Sequence, residues 1–519
     1  MKKTLLFILL CAATNLWADN ARKISADFNK IKNTKSETYF KCIGAGRANE
    51  GLRADWQEQL RMIQQDFPYE YIRFHGLLHD DMGVCTRDNA DKNKIVYNFQ
   101  YIDKLYDFLL SIGIKPFVEL SFMPEALSSG DKTVFWWKGN VTPPADYEQW
   151  SDLINKLVTH LTKRYGAEEL ETWYFEVWNE PNHGSFFSGK QADYFKLYTV
   201  TAETIKKINA NYRVGGPATA GSAWVSDFIN YCNETQSPVD FITTHAYGVY
   251  GALDEFGVMQ LQLIKYPDCV AGAVKKSREE MNDLNLSDAE LHYTEWSSSY
   301  SPRDMTHDTY MNAPYVLNTL RKTDVIAQSM SYWTFTDIFE ESGVPTKPFH
   351  GGFGLLNMQN LKKPTYFAYK FLYELGDTEL QTNDKDCWVC KNENGDIQVL
   401  AYNLVMPTYK KYEHNNKIFS QVRIPKQLAP LKIDLSNVPN GKYAIEIYRT
   451  GYKKNDVLTA YLEMGSPTQL YPKQEKALHN VSQGKAESIE IVEITDGKFQ
   501  QTLDMNENDV CFVKLISLK

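Results

Sequence analysis

The run Trp173-Tyr-Phe-Glu-Val-Trp-Asn-Glu-Pro-Asn puts a carboxylate, Glu180, directly behind an aromatic, strand-like stretch. Pro181 has no backbone N–H to give a neighbouring strand, so the strand stops there and Glu180 is left at its end. A lone Glu-Pro turn is ordinarily a solvated loop. The chain, however, contains a second carboxylate in the same context: Glu295, in Leu291-His-Tyr-Thr-Glu-Trp-Ser. Two strand-end carboxylates amid aromatic residues suit cleavage of a glycosidic bond. One stays protonated to supply the leaving oxygen, and the other, ionised, meets the anomeric carbon. On this reading the charge of Glu295 is expected to raise the pKa of Glu180.

Those side chains need a scaffold that opposes them. Eight strand-like runs begin near Phe40, Tyr69, Lys115, Trp173, Arg213, Phe241, Glu290 and Ser331, and between them lie helical patterns such as Ile102–Ile112 and Tyr147–Arg164. This alternation predicts an α/β fold, a (β/α)8 TIM barrel, over residues 39–372. The fifth run is the weakest, because Gly215-Gly-Pro217 interrupts it at once. Glu180 and Glu295 then end the fourth and seventh strands, which face each other across the C-terminal mouth where barrel enzymes work. Beyond residue 373 helical periodicity fades into short alternating runs with Asn-Gly and Pro, predicting a C-terminal β-sandwich over 373–519. The polar segment 19–38 is expected to add a strand to that sandwich.

A chain of 519 residues exceeds what one core usually organises. The net charge of −9 with scattered Lys and Arg gives no basic surface for nucleic acid. Met1-Lys-Lys followed by a short apolar run reads as a signal peptide over 1–18, implying an exported, soluble protein with no transmembrane segment. Leu10 before Cys11 argues against a lipid anchor there. The remaining cysteines are odd in number and widely spread, which is no disulfide framework. Cys387-Trp-Val-Cys390 has redox or metal spacing but sits in a strand pattern that favours buried cysteines.

With these residues on the page, the chain resembles glycoside hydrolase family 39, and within it the bacterial β-xylosidases more than the α-L-iduronidases. The matching stretches include Gly44-Ala-Gly-Arg-Ala, Ile72-Arg-Phe-His-Gly-Leu-Leu-His-Asp-Asp-Met, Glu119-Leu-Ser-Phe-Met-Pro and Trp178-Asn-Glu-Pro-Asn. They continue with Thr244-His-Ala-Tyr, Tyr293-Thr-Glu-Trp, Ser331-Tyr-Trp-Thr-Phe-Thr-Asp-Ile-Phe-Glu-Glu and Pro348-Phe-His-Gly-Gly-Phe-Gly. The resemblance implies that Glu180 is the general acid/base and Glu295 the nucleophile of a retaining double displacement. It implies that Asn179 binds the sugar's 2-hydroxyl, Tyr247 orients the nucleophile, and His245 joins it at the end of strand six. Arg73 is implied to support the carboxylates from beneath, His75 to bind sugar, Trp333 to form the stacking floor, and Glu340 and Glu341 to grip hydroxyls. Phe122 and Tyr300 fall at wall positions, and Asp80 and Asp81 cap a loop.

The expected activity is removal of terminal β-D-xylosyl units from oligosaccharides without metal or organic cofactor. Another sugar (an arabinoside or an α-L-iduronide) is the alternative, and a non-catalytic carbohydrate-binding barrel is a more distant one. Association into homo-oligomers is compatible with this architecture. Trp136-Trp137 reads equally as a lid wall or as a packing anchor.

Overall fold

The structure is a computed structural model that describes residues 21–518. The expected leader and Cys11 lie outside these residues. Cys42–Arg47, Tyr71–His75, Lys115–Leu120, Tyr174–Val177, Arg213–Thr219, Phe241–Tyr247, Glu290–Ser297 and Ser329–Tyr332 form a closed barrel of eight strands, each parallel to its neighbours. The strands are buried along nearly their whole length, as parallel strands covered on both faces must be. The fifth strand runs straight through its Gly-Gly-Pro. Pro217 sits where the register against strand six shifts, and the Ala218 amide donates instead to the Thr243 hydroxyl at 3.1 Å. A Cβ on Gly215 would lie 2.3 Å from the Phe241 carbonyl, so the glycine permits the close approach of strands five and six.

The outer helices follow from periodicity and caps. In Tyr147–Tyr165, Trp150, Leu153, Ile154, Leu157, Val158 and Leu161 recur at three and four and are buried against the barrel. Asp146 caps the start by accepting from the Glu148 amide, Lys163 and Arg164 sit in the last turn, and Gly166 at φ 93° ends the helix.

The second unit is one mostly antiparallel nine-stranded sheet. Its two end strands, Ser488–Ile494 and Lys498–Leu503, are separated by three residues in the chain, so the sheet folds until its edges lie side by side. Ile445 and Val513 from one half then share a buried cluster with Ile433 and Phe499 from the other. Arg22–Thr34 lies inside this sheet, antiparallel to Thr378–Thr382 and parallel to Leu431–Ser436. The cysteines among the described residues are free: Cys387 faces the sandwich core, whereas Cys390, three residues on, faces the cluster shared with the barrel. That shared cluster includes Trp388, Tyr402 and Phe512, with Phe371 stacked on Phe512 at 5.2 Å.

Below the barrel mouth, Lys363 is fully buried with its Nζ 2.5 Å from Asp308 and 2.6 Å from Asp337. It also donates to the Gly352 carbonyl at 2.9 Å. Asp308 belongs to the loop after strand seven and Asp337 to the loop after strand eight, so one cation joins the two. Replacing Lys363 with Met would leave both carboxylates buried without a counter-charge, and a loss of about 3–5 kcal/mol is expected in chemical denaturation.

Candidate active site

The chain kinks sharply to present Glu180. After strand four, Trp178 (φ 72°) and Glu180 (φ 45°) both occupy the left-handed region, which costs about 1–3 kcal/mol per non-glycine residue. Burial of the Trp178 indole, which donates to the Phe186 carbonyl at 2.9 Å, offsets this. The Glu180 amide donates to the Ala218 carbonyl at 2.8 Å, tying the turn to strand five.

Beneath the mouth lies the guanidinium of Arg73, 0 % exposed. Its Nε donates to Glu176 at 2.8 Å and its Nη1 to Glu295 at 2.5 Å. Its Nη2 reaches both Asn179 Oδ1 at 2.9 Å and Glu119 at 2.8 Å. Burial opposes the charge, but these carboxylates outweigh it and raise the Arg73 pKa further. Because Arg73 occupies the Asn179 carbonyl, the amide of Asn179 is the group left to face the cavity.

Glu295 is held by two donors, Arg73 on Oε1 and the Tyr247 hydroxyl on Oε2 at 2.7 Å. Tyr247 is itself half-buried; desolvation, with the neighbouring charge of Glu295, raises its pKa, and it remains a phenol donor. Glu180 is in the opposite situation. Burial, with a smaller push from Glu119, raises its pKa to about 7 against the pull of His183, His75 and Arg73. This corrects the expectation that Glu295 does the raising: desolvation comes first, and Arg73 has already compensated Glu295.

The proton on Glu180 also follows from its hydrogen bonds. The Thr294 hydroxyl donates to Glu176 at 2.7 Å, so its oxygen is free to accept from His245 Nε2 at 3.2 Å. Burial lowers the His245 pKa to about 4, so the ring is neutral and carries its single proton on Nε2. His245 Nδ1 is then an acceptor, and its bond to Glu180 Oε1 at 2.9 Å needs a proton from the carboxyl.

A cavity of about 490 Å³ opens over this layer. Trp333 forms its floor at 2 % exposure, with its ring 4.7 Å from that of His75. A Cβ on Gly44 would lie 2.5 Å from the indole, so glycine is required under the floor. His75 is bonded to Glu119 at 2.7 Å and lies 3.4 Å from Glu341. Burial works against its charge, but Glu119 prevails and raises the ring to about 10. Glu341 lines the cavity, and burial raises it to about 7. Tyr300, 53 % exposed, stands at the rim 6.2 Å from Tyr247.

Four of the anticipated residues do not line the cavity. Arg73 and His245 lie beneath it. Phe122 is buried behind His75, ring centroids 6.1 Å apart, and braces it rather than forming a wall. Glu340 is turned away from its neighbour, held by Arg53 at 2.8 Å and Arg47 at 3.3 Å. Trp137 is a packing anchor under Arg47 and beside His79, whereas Trp136 is exposed and donates through its amide to the Glu341 carbonyl at 2.8 Å. Asp81 pairs with Arg47 and Asp80 accepts from the Glu125 amide, so both act within loops. Sequence reading missed His183, Phe186, Ala220, Gly221 and Val249, which complete the lining. The first two directly follow the Asn-Glu-Pro-Asn stop, a signal within reach; the others come from loops after strands five and six that carry no motif.

Glu180, His245 and Glu295 bring their ligand atoms within 4.8 Å of one another, a spacing that also suits a metal ion. The donor set argues otherwise, since Arg73 already neutralises Glu295 and the His245 nitrogen is engaged by Glu180.

A (β/α)8 barrel with two apposed carboxylates, one held ionised and one protonated at the end of strand four, is the scaffold of a glycosidase. Comparison with known proteins specifies which kind. The family model for glycosyl hydrolases family 39 matches residues 22–499, and the chain belongs to that family. It is 40 % identical over 482 residues to a β-xylosidase of Caldicellulosiruptor saccharolyticus, covering 90 % of this chain and 93 % of that one. It is 43 % identical over 372 residues to a β-xylosidase of Geobacillus stearothermophilus, covering 70 % and 73 %. The crystal structure of a monomeric β-xylosidase from Caulobacter crescentus CB15 superposes with a TM-score of 0.92 at 41 % identity, over 96 % of this chain and all (100 %) of that one.

The raised Glu180 carboxyl makes stability pH-dependent. A folded-state pKa moved up from 4.5 to about 7 contributes stability in full below the unfolded value and loses it as pH rises through about 7. Glu180→Gln keeps a donor toward His245 and cannot ionise. Thermal melts are expected to show its advantage over the wild type growing between pH 5 and pH 8, by on the order of 1–3 kcal/mol.

Proposed function

We propose that this glycosidase is a retaining, exo-acting β-xylosidase in which Glu180 is the general acid/base and Glu295 the nucleophile. The observation that carries the reading is the carboxylate pair, whose oxygens approach within 4.8 Å and whose surroundings favour opposite protonation states. Retaining enzymes need a separation of about 5–5.5 Å, whereas inverting ones leave about 6.5–9.5 Å for a water. Glu295 attacks the anomeric carbon as Glu180 passes its proton to the leaving oxygen, forming a glycosyl ester and a free alcohol. Water then attacks the same carbon, Glu180 takes its proton, and Glu295 is released as the carboxylate. While Glu295 is esterified, Arg73 and His75 are less compensated, and both lower Glu180, which suits its turn as base.

A buried floor with one open rim supports attack on a terminal unit. Xylose as that unit rests on the relatives and on charge. Three carboxyl groups line the cavity, and its one strongly cationic side chain, His75, is already paired with Glu119. A uronate would therefore meet acids without a free cation, which disfavours the iduronide alternative. Export through the apolar leader of 1–18 fits an enzyme acting on oligosaccharides outside the cytoplasm.

Glu295→Ala is expected to abolish turnover of xylobiose. Glu180→Ala should cost about 10²–10⁴-fold on xylobiose but far less on an aryl xyloside whose leaving group needs no proton. If both variants hydrolyse xylobiose normally, the assignment is wrong. The kcat/KM of the wild type on xylobiose should fall as pH rises through about 7, the limb on which Glu180 loses its proton. The same limb persisting in Glu180→Ala would remove Glu180 from the role of acid.

A further inference from the structure

Behind the closed end of the cavity sits a carboxylate that the reaction does not use. Glu50 belongs to the short 3₁₀ helix Ala48–Leu52 that follows strand one, is 1 % exposed, and does not line the cavity. One of its oxygens accepts from the Glu340 amide at 2.9 Å and the other from the Arg47 amide at 3.3 Å. The Arg47 guanidinium stands 3.7 Å away as counter-charge. A Cβ on Gly46 would lie 2.3 Å from the second oxygen and 2.9 Å from the Phe339 ring, so a glycine at the end of strand one makes room for both.

Glu340 is thereby fastened at both ends. Its amide is bonded to Glu50 and its carboxylate to Arg53 and Arg47, while Arg47 also pairs with Asp81 in the loop after strand two. Phe339 and Glu340 lie outside any helix or strand, so the Glu340 amide has no ladder to join and takes a side-chain acceptor instead. A bond to an ionised acceptor is among the stronger ones a backbone amide makes. Glu341 follows directly. Its carbonyl accepts from the Trp136 amide at 2.8 Å, and its carboxyl lines the cavity 3.4 Å from His75. On the other side Phe339 meets the Trp333 floor edge-on, ring centroids 6.0 Å apart. The bond from Glu50 thus fixes the main chain between the support of the floor and the carboxyl that faces the cavity.

We infer that Glu50 is a positioning residue for the terminal sugar: through the Glu340 amide it sets where Glu341 stands, and so how tightly the sugar is held, without touching the sugar. The inference rests on the reading that the cavity takes a terminal xylosyl unit and that Glu341 bonds its hydroxyls. Glu341 is remote from the bond that breaks, so its grip serves the bound substrate and the transition state alike. Loosening it costs affinity more than turnover.

The test is a double-mutant cycle of Glu50→Ala and Glu341→Ala, read by the inhibition constant of free xylose and by kcat and KM on p-nitrophenyl β-D-xyloside. Alone, Glu50→Ala is expected to raise the inhibition constant and KM about tenfold while kcat stays within about threefold. In the Glu341→Ala background the same change should cost less than about twofold, because the group through which Glu50 acts is gone. Glu50→Gln keeps an acceptor for the Glu340 amide and should recover most of the affinity. Should Glu50→Ala fail to fold, Glu50→Met, which fills the space without an acceptor, carries the same cycle. Equal losses in both backgrounds, as a merely structural role gives, or no loss in either, would overturn the inference. A Glu341→Ala variant that binds xylose as the wild type does would instead overturn the reading that this carboxyl grips the sugar. A wild type that neither binds xylose nor hydrolyses the xyloside would overturn the xylosidase reading itself.

Discussion

A buried arginine is the constraint on which the site depends. Arg73 has no exposed surface and gathers carboxylates from strands three, four and seven together with the Asn179 carbonyl. Without those acids a guanidinium at this depth would be prohibitively costly; without the guanidinium, so would the acids. The consequence is positional. The fork geometry of one planar cation sets where the Glu295 oxygen lies, which way Asn179 turns its amide, and how far strands two, four and seven stand apart at the mouth.

The acid is governed by the other half of the same layer. Thr294 spends its proton on Glu176, His245 spends its own on Thr294, and the acceptor left on His245 faces Glu180. A carboxyl proton is thus specified by a chain of hydrogen bonds that begins at a residue paired with Arg73. The ionised and the protonated glutamate share one origin, and the low polarity around them sharpens the difference.

Much of this was legible in the amino-acid sequence because the features are local. Barrel strands announce themselves as apolar runs ending in polar residues, and Asn179-Glu180-Pro181 and Thr294-Glu295-Trp296 each mark a strand end within three residues. What stayed hidden depends on partners distant in the chain. Glu340 and Glu341 are indistinguishable as neighbours; Arg47 and Arg53 take one, and the cavity receives the other. Phe122 reads as a wall residue until His75 and Trp137 are seen to enclose it. Pro217 reads as a strand breaker, yet pairing resumes one residue on because the hydroxyl that accepts from the Ala218 amide, that of Thr243, comes from the next strand. Glu180 was linked to the charge nearest in function, whereas burial, which no linear pattern reports, dominates its pKa.

The Asp308–Lys363–Asp337 bridge divides the mouth into unequal parts. The loops after strands seven and eight, which carry the approach to Glu295 and the floor with Glu341, are locked to each other through a charge that neither can relinquish alone. Among the described residues the loops after strands four and five bear no such ion pair to them, whereas the loop after strand six is packed against them, Val249 and Leu263 sharing a buried cluster with Met305 and Phe349. Divergence among descendants of this chain therefore has a permitted direction: the loops after strands four and five can be remodelled by insertion or substitution, while those after strands six, seven and eight must change in concert or stay as they are.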